Sequence, residues 1–361
     1  MKICLMHNLY GEYSRGGAET AVKLLADNFQ KAGNEVFIIT TRPKSSPDKH
    51  GKDAGDKPAE NIYYLASEFY NLGRHSLLYR AFWHIGNIFS FRKAEEIKNI
   101  LKAEKPNLVI THNLLGLGFM IPAILRKLNI SHEHFLHDIQ LIHPSGLMIF
   151  GKEQKINRPS AKIYQALTRA LFASPAKIIS PSYWLLEMHK QRGFFKDSAT
   201  EIRPFVWPGT PAQKQKAASP AKNFLFIGQI EEQKGILFLI AAFKKIMNPE
   251  LTLNVAVRGG GSDLGKAREA SQGDARIHIL GPLSYEETDK LKMASDCLIV
   301  PSLCYENSPT VIYGAQAAGL TVIASRLGGI PELMKKEDQL FTPGDESDLI
   351  AKILLMTKKP A

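Results

Sequence analysis

The chain has 361 residues, a length at which a single hydrophobic core usually gives way to two, so two domains are the first expectation. Hydrophobic residues make up 44% and charged residues 22%, which excludes a disordered chain, and no apolar run approaches the ~20 residues needed to cross a bilayer. The net charge of +11 is uneven: residues 1–205 hold 28 Lys and Arg against 18 Asp and Glu, the remainder 18 against 17, and ten of the eleven histidines fall in the first part.

Short apolar runs alternate with helical patterns, which is the signature of parallel βαβ units. Lys2–His7 reads as a strand, too short for a signal-peptide core. A Gly16-Gly17 turn leads to a helix over Glu19–Lys31 that ends at Gly33, and Val36–Thr40 is the next strand. Residues 43–60 are polar and rich in Lys, Asp, Pro and Gly, so they read as an excursion. Leu108–Thr111, Glu133–Leu136 and Lys177–Ser180 follow as strands. The proline-rich stretch 203–222 reads as a linker, dividing an N-terminal domain 1–205 from a C-terminal domain 206–361. Beyond it, Asn223–Ile227, Leu251–Val257, Arg276–Ile279, Cys297–Val300 and Thr321–Ala324 are predicted strands, with helices near 235–247, 286–294 and 309–319. The predicted fold class is α/β: two Rossmann-like, doubly wound domains whose strands end at an interdomain cleft. Cys4, Cys297 and Cys304 make no even disulfide framework and read as buried thiols of a reducing cytoplasm.

Several strand ends carry residues suited to a ligand, each with a structural alternative. The Gly16-Gly17 turn lets backbone approach a ligand at a helix start, or simply makes a tight turn. The loop from Gly228 and Gln229 to Lys234 offers a cation to a diphosphate, or a solvated lysine. Arg258-Gly259-Gly260-Gly261 leaves room for a nucleotide, or flexes. In the stretch from Pro301 to Gly319, Glu306 hangs over a helix start where Thr310 and Val311 would present amides to an anion, with Asn307, Ser308 and Gly314 nearby. His132, His134 and His137 have a spacing that tempts a metal reading, but His137 lies past the end of the strand that carries the other two. His137-Asp138 suits polar contact with a substrate better, so no metal is expected. Over Tyr70–Lys93, Leu77, Leu78, Phe82, Trp83, Ile85, Ile88, Phe89 and Phe91 stand beside Arg74, Arg80, Arg92 and Lys93 at helical spacing, which suits a membrane-surface helix, an acyl-chain-facing groove, or a core helix with basic ends in water. The basic first half can meet an anionic membrane or acceptor; lacking a reader motif or a clustered aromatic platform, it is not expected to bind nucleic acid.

In order and spacing, these motifs resemble the retaining glycosyltransferases of family 4, which adopt the GT-B fold. The likeness spans nearly the whole chain: Gly16-Gly17-Ala18-Glu19, Thr111-His112-Asn113, His137-Asp138, Ser180-Pro181-Ser182, Gly228 to Lys234-Gly235, Ile279-Leu280-Gly281-Pro282, Pro301-Ser302 to Glu306, and Gly328-Gly329-Ile330-Pro331-Glu332. The resemblance implies metal-independent, retaining transfer of a hexose-like sugar from a UDP- or GDP-sugar to a glycan or lipid-linked acceptor, in the cytoplasm or at the inner face of the membrane, with no cofactor. By the same resemblance, Gly17 approaches the diphosphate, His137 contacts the sugar, Lys234 binds the phosphates and Glu306 holds the sugar hydroxyls. Thr310 and Val311 donate amides, Leu280–Leu283 borders the base, and His112, Asn113 and Asp138 lie on the acceptor side. Leaving-group charge would be stabilised by fixed cations and amides. Three positions depart from the family: Gly314 stands where a second glutamate is usual, Gln229 where an arginine is, and the chain stops at Ala361 before the usual crossover helix. They leave a second reading, a family member that binds nucleotide-sugar or a partner without efficient turnover.

Overall fold

The computed structural model describes residues 1–14, 16–45, 61–205, 220–258 and 260–358, the side chains of Leu77 and Asp338 excepted. Arg15, Gly259, Ala361, most of the polar stretch 43–60 and most of the proline-rich stretch 203–222 lie outside the described residues. The chain forms two compact units, Met1–Leu147 with Gln154–Pro204, and Met148–Glu153 with Phe205–Ala361.

The first unit is built on a seven-stranded sheet. In chain order its strands are β1 (Lys2–Met6), β2 (Glu35–Pro43), β3 (Ile62–Ser67), β4 (Leu108–Thr111), β5 (Ser131–Phe135), β6 (Lys177–Ser180) and β7 (Ala199–Ile202). Their order in the sheet is β3-β2-β1-β4-β5-β6-β7, and every pair is parallel. Helices α1 (Gly17–Lys31), α2 (Leu77–Ile88), α3 (Phe91–Glu104), α4 (Ile121–Lys127), α5 (Pro159–Phe172) and α6 (Tyr183–Lys190) connect them. The central strands are apolar at consecutive positions, as in Ile3-Cys4-Leu5-Met6, all buried, because helices cover both faces of a parallel sheet. Two strands of this sheet had no sequence signal strong enough to be predicted: β3, which follows directly on the polar stretch, and β7, a polar edge strand.

The second unit repeats the plan with β8 (Asn223–Gly228), β9 (Thr252–Val257), β10 (Ile277–Pro282), β11 (Cys297–Val300), β12 (Thr321–Ser325) and β13 (Leu340–Phe341), in the parallel order β10-β9-β8-β11-β12-β13. Its helices are α7 (Ile236–Lys244), α8 (Leu264–Ser271), α9 (Tyr285–Ala294), α10 (Thr310–Ala317), α11 (Ile330–Leu333) and α12 (Glu346–Met356). Alternate residues of β8 feed two cores, Phe224 and Phe226 packing with Phe243 and Phe341, Leu225 and Ile227 with Leu298, Ile312 and Val322. All three cysteines are buried and free. No described helix is long and apolar enough to cross a membrane.

In each sheet the connection direction reverses once, between β1 and β4 and between β8 and β11. At such a reversal the loops of a doubly wound sheet leave toward opposite faces, and ligands of such sheets bind at the carboxyl ends of the strands there. The residues placed there are His7, His112 and Asn113 in one unit, and Lys234 and Glu306 in the other.

Candidate active site

The second unit brings its two charged candidates into contact. Lys234 Nζ lies 2.5 Å from Glu306 Oε1, and Ser302 Oγ donates to the same oxygen at 3.1 Å. Burial disfavours the Lys234 charge, but the Glu306 carboxylate outweighs it and raises its titration above the usual lysine range. Close backbone approach makes this pair. Gly235 has φ +75°, and a Cβ there would sit 1.8 Å from the Pro301 carbonyl oxygen, so only glycine lets the β8 loop lie against the β11 loop. The amides of Leu303 and Cys304 both donate to the Gln233 carbonyl, at 2.9 and 3.1 Å. From the other side, Gly328 (φ +60°) would place a Cβ 2.2 Å from the Glu306 carbonyl oxygen, which accepts from the Gly329 amide at 2.8 Å.

A third support was not foreseen. Met148–Glu153, expected within the N-terminal domain, groups with the second unit because its backbone pairs there. Ile149 forms an antiparallel bridge with Cys304, Phe150 N donates to Leu303 O at 2.9 Å, and Tyr305 N donates to Met148 O at 2.9 Å. Tyr305 OH adds a bond to Glu153 Oε1 at 3.0 Å.

Past Glu306, Asn307 is buried, Ser308 Oγ bonds Tyr313 OH at 2.7 Å, and α10 starts at Thr310 without a side-chain cap. The Thr310 and Val311 amides therefore stand in a first helical turn, where the helix itself supplies no acceptors. Gly314 is buried within α10. Gly228 ends β8, and Gln229 follows it, half-buried. Arg258 belongs to a second group: its guanidinium stacks 3.7 Å from the Tyr285 ring centre, and Nη1 donates to the Leu283 carbonyl at 3.3 Å. Leu283 N returns a bond to Val257 O, while Leu280 is half-buried on β10. Sequence reasoning missed Tyr285, whose partner lies 27 positions earlier in the chain.

The first unit gathers histidines. His112 Nδ1 and His137 Nε2 are 2.8 Å apart, and the His7 ring centre lies 5.7 Å from that of His137. Burial first, then the neighbouring His7, lowers His137 to about 3, and burial pushes His112 well below the usual histidine range, so both imidazoles are neutral at pH 7. Asp138 accepts from Asn113 Nδ2 at 2.9 Å and from Gln140 N at 2.7 Å, yet burial raises it to about 6. His132 and His134 point elsewhere, both bonded to Thr111 Oγ1 at 2.7 and 2.8 Å, so they share a face as expected but not a site with His137. Among the described residues no group of three or more His, Cys, Asp and Glu is placed to hold one metal ion. At α1, Gly16 N donates to Glu19 Oε2 at 2.6 Å, and Glu19 Oε1 faces His7 Nε2 at 3.6 Å. Gly16 therefore spends its amide on the chain's own carboxylate, leaving Gly17, the first helical residue, as the candidate anion donor of that turn.

Comparison with known proteins agrees with this architecture. The chain is 25% identical over 353 residues to an uncharacterized 42.6 kDa protein in the cps region of Klebsiella pneumoniae, covering 97% of this chain and 91% of that one. It is 26% identical over 240 residues to the lipopolysaccharide 1,2-N-acetylglucosaminetransferase of Salmonella typhimurium, covering 59% of this chain and 62% of that one. Among solved structures, sucrose-phosphate synthase from Thermosynechococcus elongatus superposes with a TM-score of 0.69 at 18% identity, covering 99% of this chain and 91% of that one, which supports the GT-B fold. The Glycosyltransferase Family 4 model matches residues 15–206, and the Glycosyl transferases group 1 model matches residues 221–359. The chain belongs to these glycosyltransferases, family 4 and group 1, and is a transferase of the GT-B fold.

Proposed function

We propose that the enzyme moves a hexose-like sugar from a UDP- or GDP-sugar to a glycan or lipid-linked acceptor, with retention of configuration and without a metal ion. The observation that carries this reading is the Lys234–Glu306 pair, held by glycines that admit no side chain, with Glu306 four residues before α10 begins. In the resting enzyme the two charges satisfy each other. When a donor binds, its diphosphate takes over Lys234 and the amides of Thr310 and Val311, and the freed Glu306 carboxylate accepts from sugar hydroxyls. As the sugar–phosphate bond breaks, negative charge grows on the diphosphate, where a fixed ammonium and amides lower its energy most. His137, neutral at pH 7, can offer a ligand of its own unit a hydrogen bond rather than a charge. Arg258 over Tyr285, with Leu280 and Leu283, borders the base. The kinship with a cps-region protein and a lipopolysaccharide transferase favours a role in envelope polysaccharide or glycolipid assembly.

Thermal-shift screening with UDP, GDP, ADP and their sugars tests this, because a specific nucleotide must raise the melting point by mass action. A second reading, binding without efficient turnover, is favoured by Gly314, which places no carboxylate in α10. Donor hydrolysis with Glu306→Ala as the control separates the two: the transferase loses hydrolysis, and a mere binder shows no difference.

A further inference from the structure

Most surface helices bury their apolar stripe, but α2 turns its stripe outward. Leu78, Phe82, Ile85 and Phe89 recur at intervals of four, three and four, one line along the helix, and are 75%, 72%, 56% and 39% exposed. Phe91, the first residue of α3, is 67% exposed. The helix does not hang loose. Its other face buries Asn87 and Ile88, Asn87 Oδ1 accepts from Gly116 N at 2.7 Å, and Asn87 O accepts from Phe119 N. From Phe69 to Ala94 there is no Asp or Glu, while Arg74, Arg80 and Arg92 are exposed. Lys93 is turned inward and donates to the Gly116 carbonyl.

We propose that this face of α2 docks on a bilayer containing anionic lipid, with the stripe at the acyl boundary and the arginines among the headgroup phosphates. Charge chooses the occupant. A second copy of the chain in a two-fold dimer would bring together two segments 69–94, each with exposed arginines and no acid of its own. An anionic membrane supplies both an apolar layer and the opposite charge. The inference deepens the proposed function by naming the element that brings the enzyme to a lipid-linked acceptor, and it rests on that reading for its purpose, while docking itself is measured without turnover.

The test is co-sedimentation of the full chain with phosphatidylcholine vesicles, with and without phosphatidylglycerol. The native chain binds the anionic vesicles, and added salt weakens it. Phe82→Ser with Ile85→Ser weakens binding by about tenfold or more, and Arg80→Glu with Arg92→Glu abolishes the preference for phosphatidylglycerol. These side chains are exposed, so circular dichroism and the unfolding midpoint stay native. Absence of binding by the native chain, or equal binding by the Phe82→Ser/Ile85→Ser variant, overturns the proposal. So does a concentration-dependent dimer that this variant dissolves, which would give the face to a second copy. Nucleotide thermal shifts on the same samples keep the readings apart: vesicle binding without any shift sinks the transferase mechanism and leaves the docking, and the converse result does the reverse.

Discussion

The Lys234 ammonium and the Glu306 carboxylate lie 2.5 Å apart, joining the loop after β8 to the loop after β11 at the reversal point of the second sheet. Removing the lysine therefore does two separable things. Lys234→Ala should abolish the nucleotide-induced thermal shift, and it should destabilise the fold by about 1–3 kcal/mol, because Glu306 is left partly buried without its cation, with the Ser302 hydroxyl still donating to it. Lys234→Ala with Glu306→Ala should regain much of that stability and none of the shift. An unchanged shift in the single variant removes the lysine from the site.

Glu306→Gln keeps hydrogen-bonding capacity toward Lys234 and Ser302 but loses the charge. Binding of free nucleoside diphosphate should persist, since the lysine no longer has to be drawn from a carboxylate. Sugar transfer should fall by about a hundredfold, as when one preorganised polar group is lost from an active site. Rates and thermal shifts on one preparation read both; a parallel loss of the two would deny Glu306 its separate duty toward the sugar.

The glycines differ in what an added methyl group meets. Gly235→Ala and Gly328→Ala combine a left-handed backbone with a clash on a carbonyl oxygen, and each should cost roughly 3–5 kcal/mol. Gly33 shares the left-handed backbone (φ +79°) but has open space around it, so Gly33→Ala should cost only about 1–2 kcal/mol. Urea unfolding of the three variants checks the order; equal losses would mean the close approach of the two loops contributes nothing.

Acid should unfold the protein early. Burial holds His132 and His137 to about 3 and His84 and His189 to about 4. Histidine in the unfolded chain titrates near ~6.5. Below that pH the unfolded state takes up protons that the folded state refuses, so stability present at neutral pH is lost as the pH falls toward 3–4. Each such histidine steepens the decline by up to about 1.4 kcal/mol per pH unit. Asp138 runs the other way: raised to about 6, it takes its proton in the folded state first and relieves a cost as the pH drops from there toward ~4. With more histidines than this one acid, the urea midpoint should fall between about pH 7.5 and 5.5, and His189→Asn should flatten the fall by one histidine's share. A level midpoint across that range would contradict the neutral, buried state of these rings.

Lys234 and Glu306 were legible in the sequence because each follows an apolar strand by a short loop, and strand ends in a parallel sheet share one edge. Their contact was not legible, since it depends on β8 and β11 being neighbours although β9 and β10 intervene in the chain. Arg258 with Tyr285, and His7 with His137, are hidden for the same reason. Helical spacing marked Tyr70–Lys93 as apolar and basic but did not separate Leu78, Phe82, Ile85 and Phe89, which face outward, from Ile88, which is buried: only tertiary packing decides what each face meets. Strands β3 and β7 escaped because half-polar edge strands lack the unbroken apolar run that marked the central ones.

The excursion of Met148–Glu153 means the chain passes from one unit to the other three times, after residues 147, 153 and 204. The enzyme is therefore not two beads that recombination can exchange with a single cut. A hybrid taking only residues 205–361 from a relative would set this chain's own hexapeptide against the relative's segment around position 305, mismatching the side-chain contact that Tyr305 makes with Glu153. Chimeras that carry donor specificity across must bring their own version of 148–153, a second splice inside what looks, on paper, like the other half.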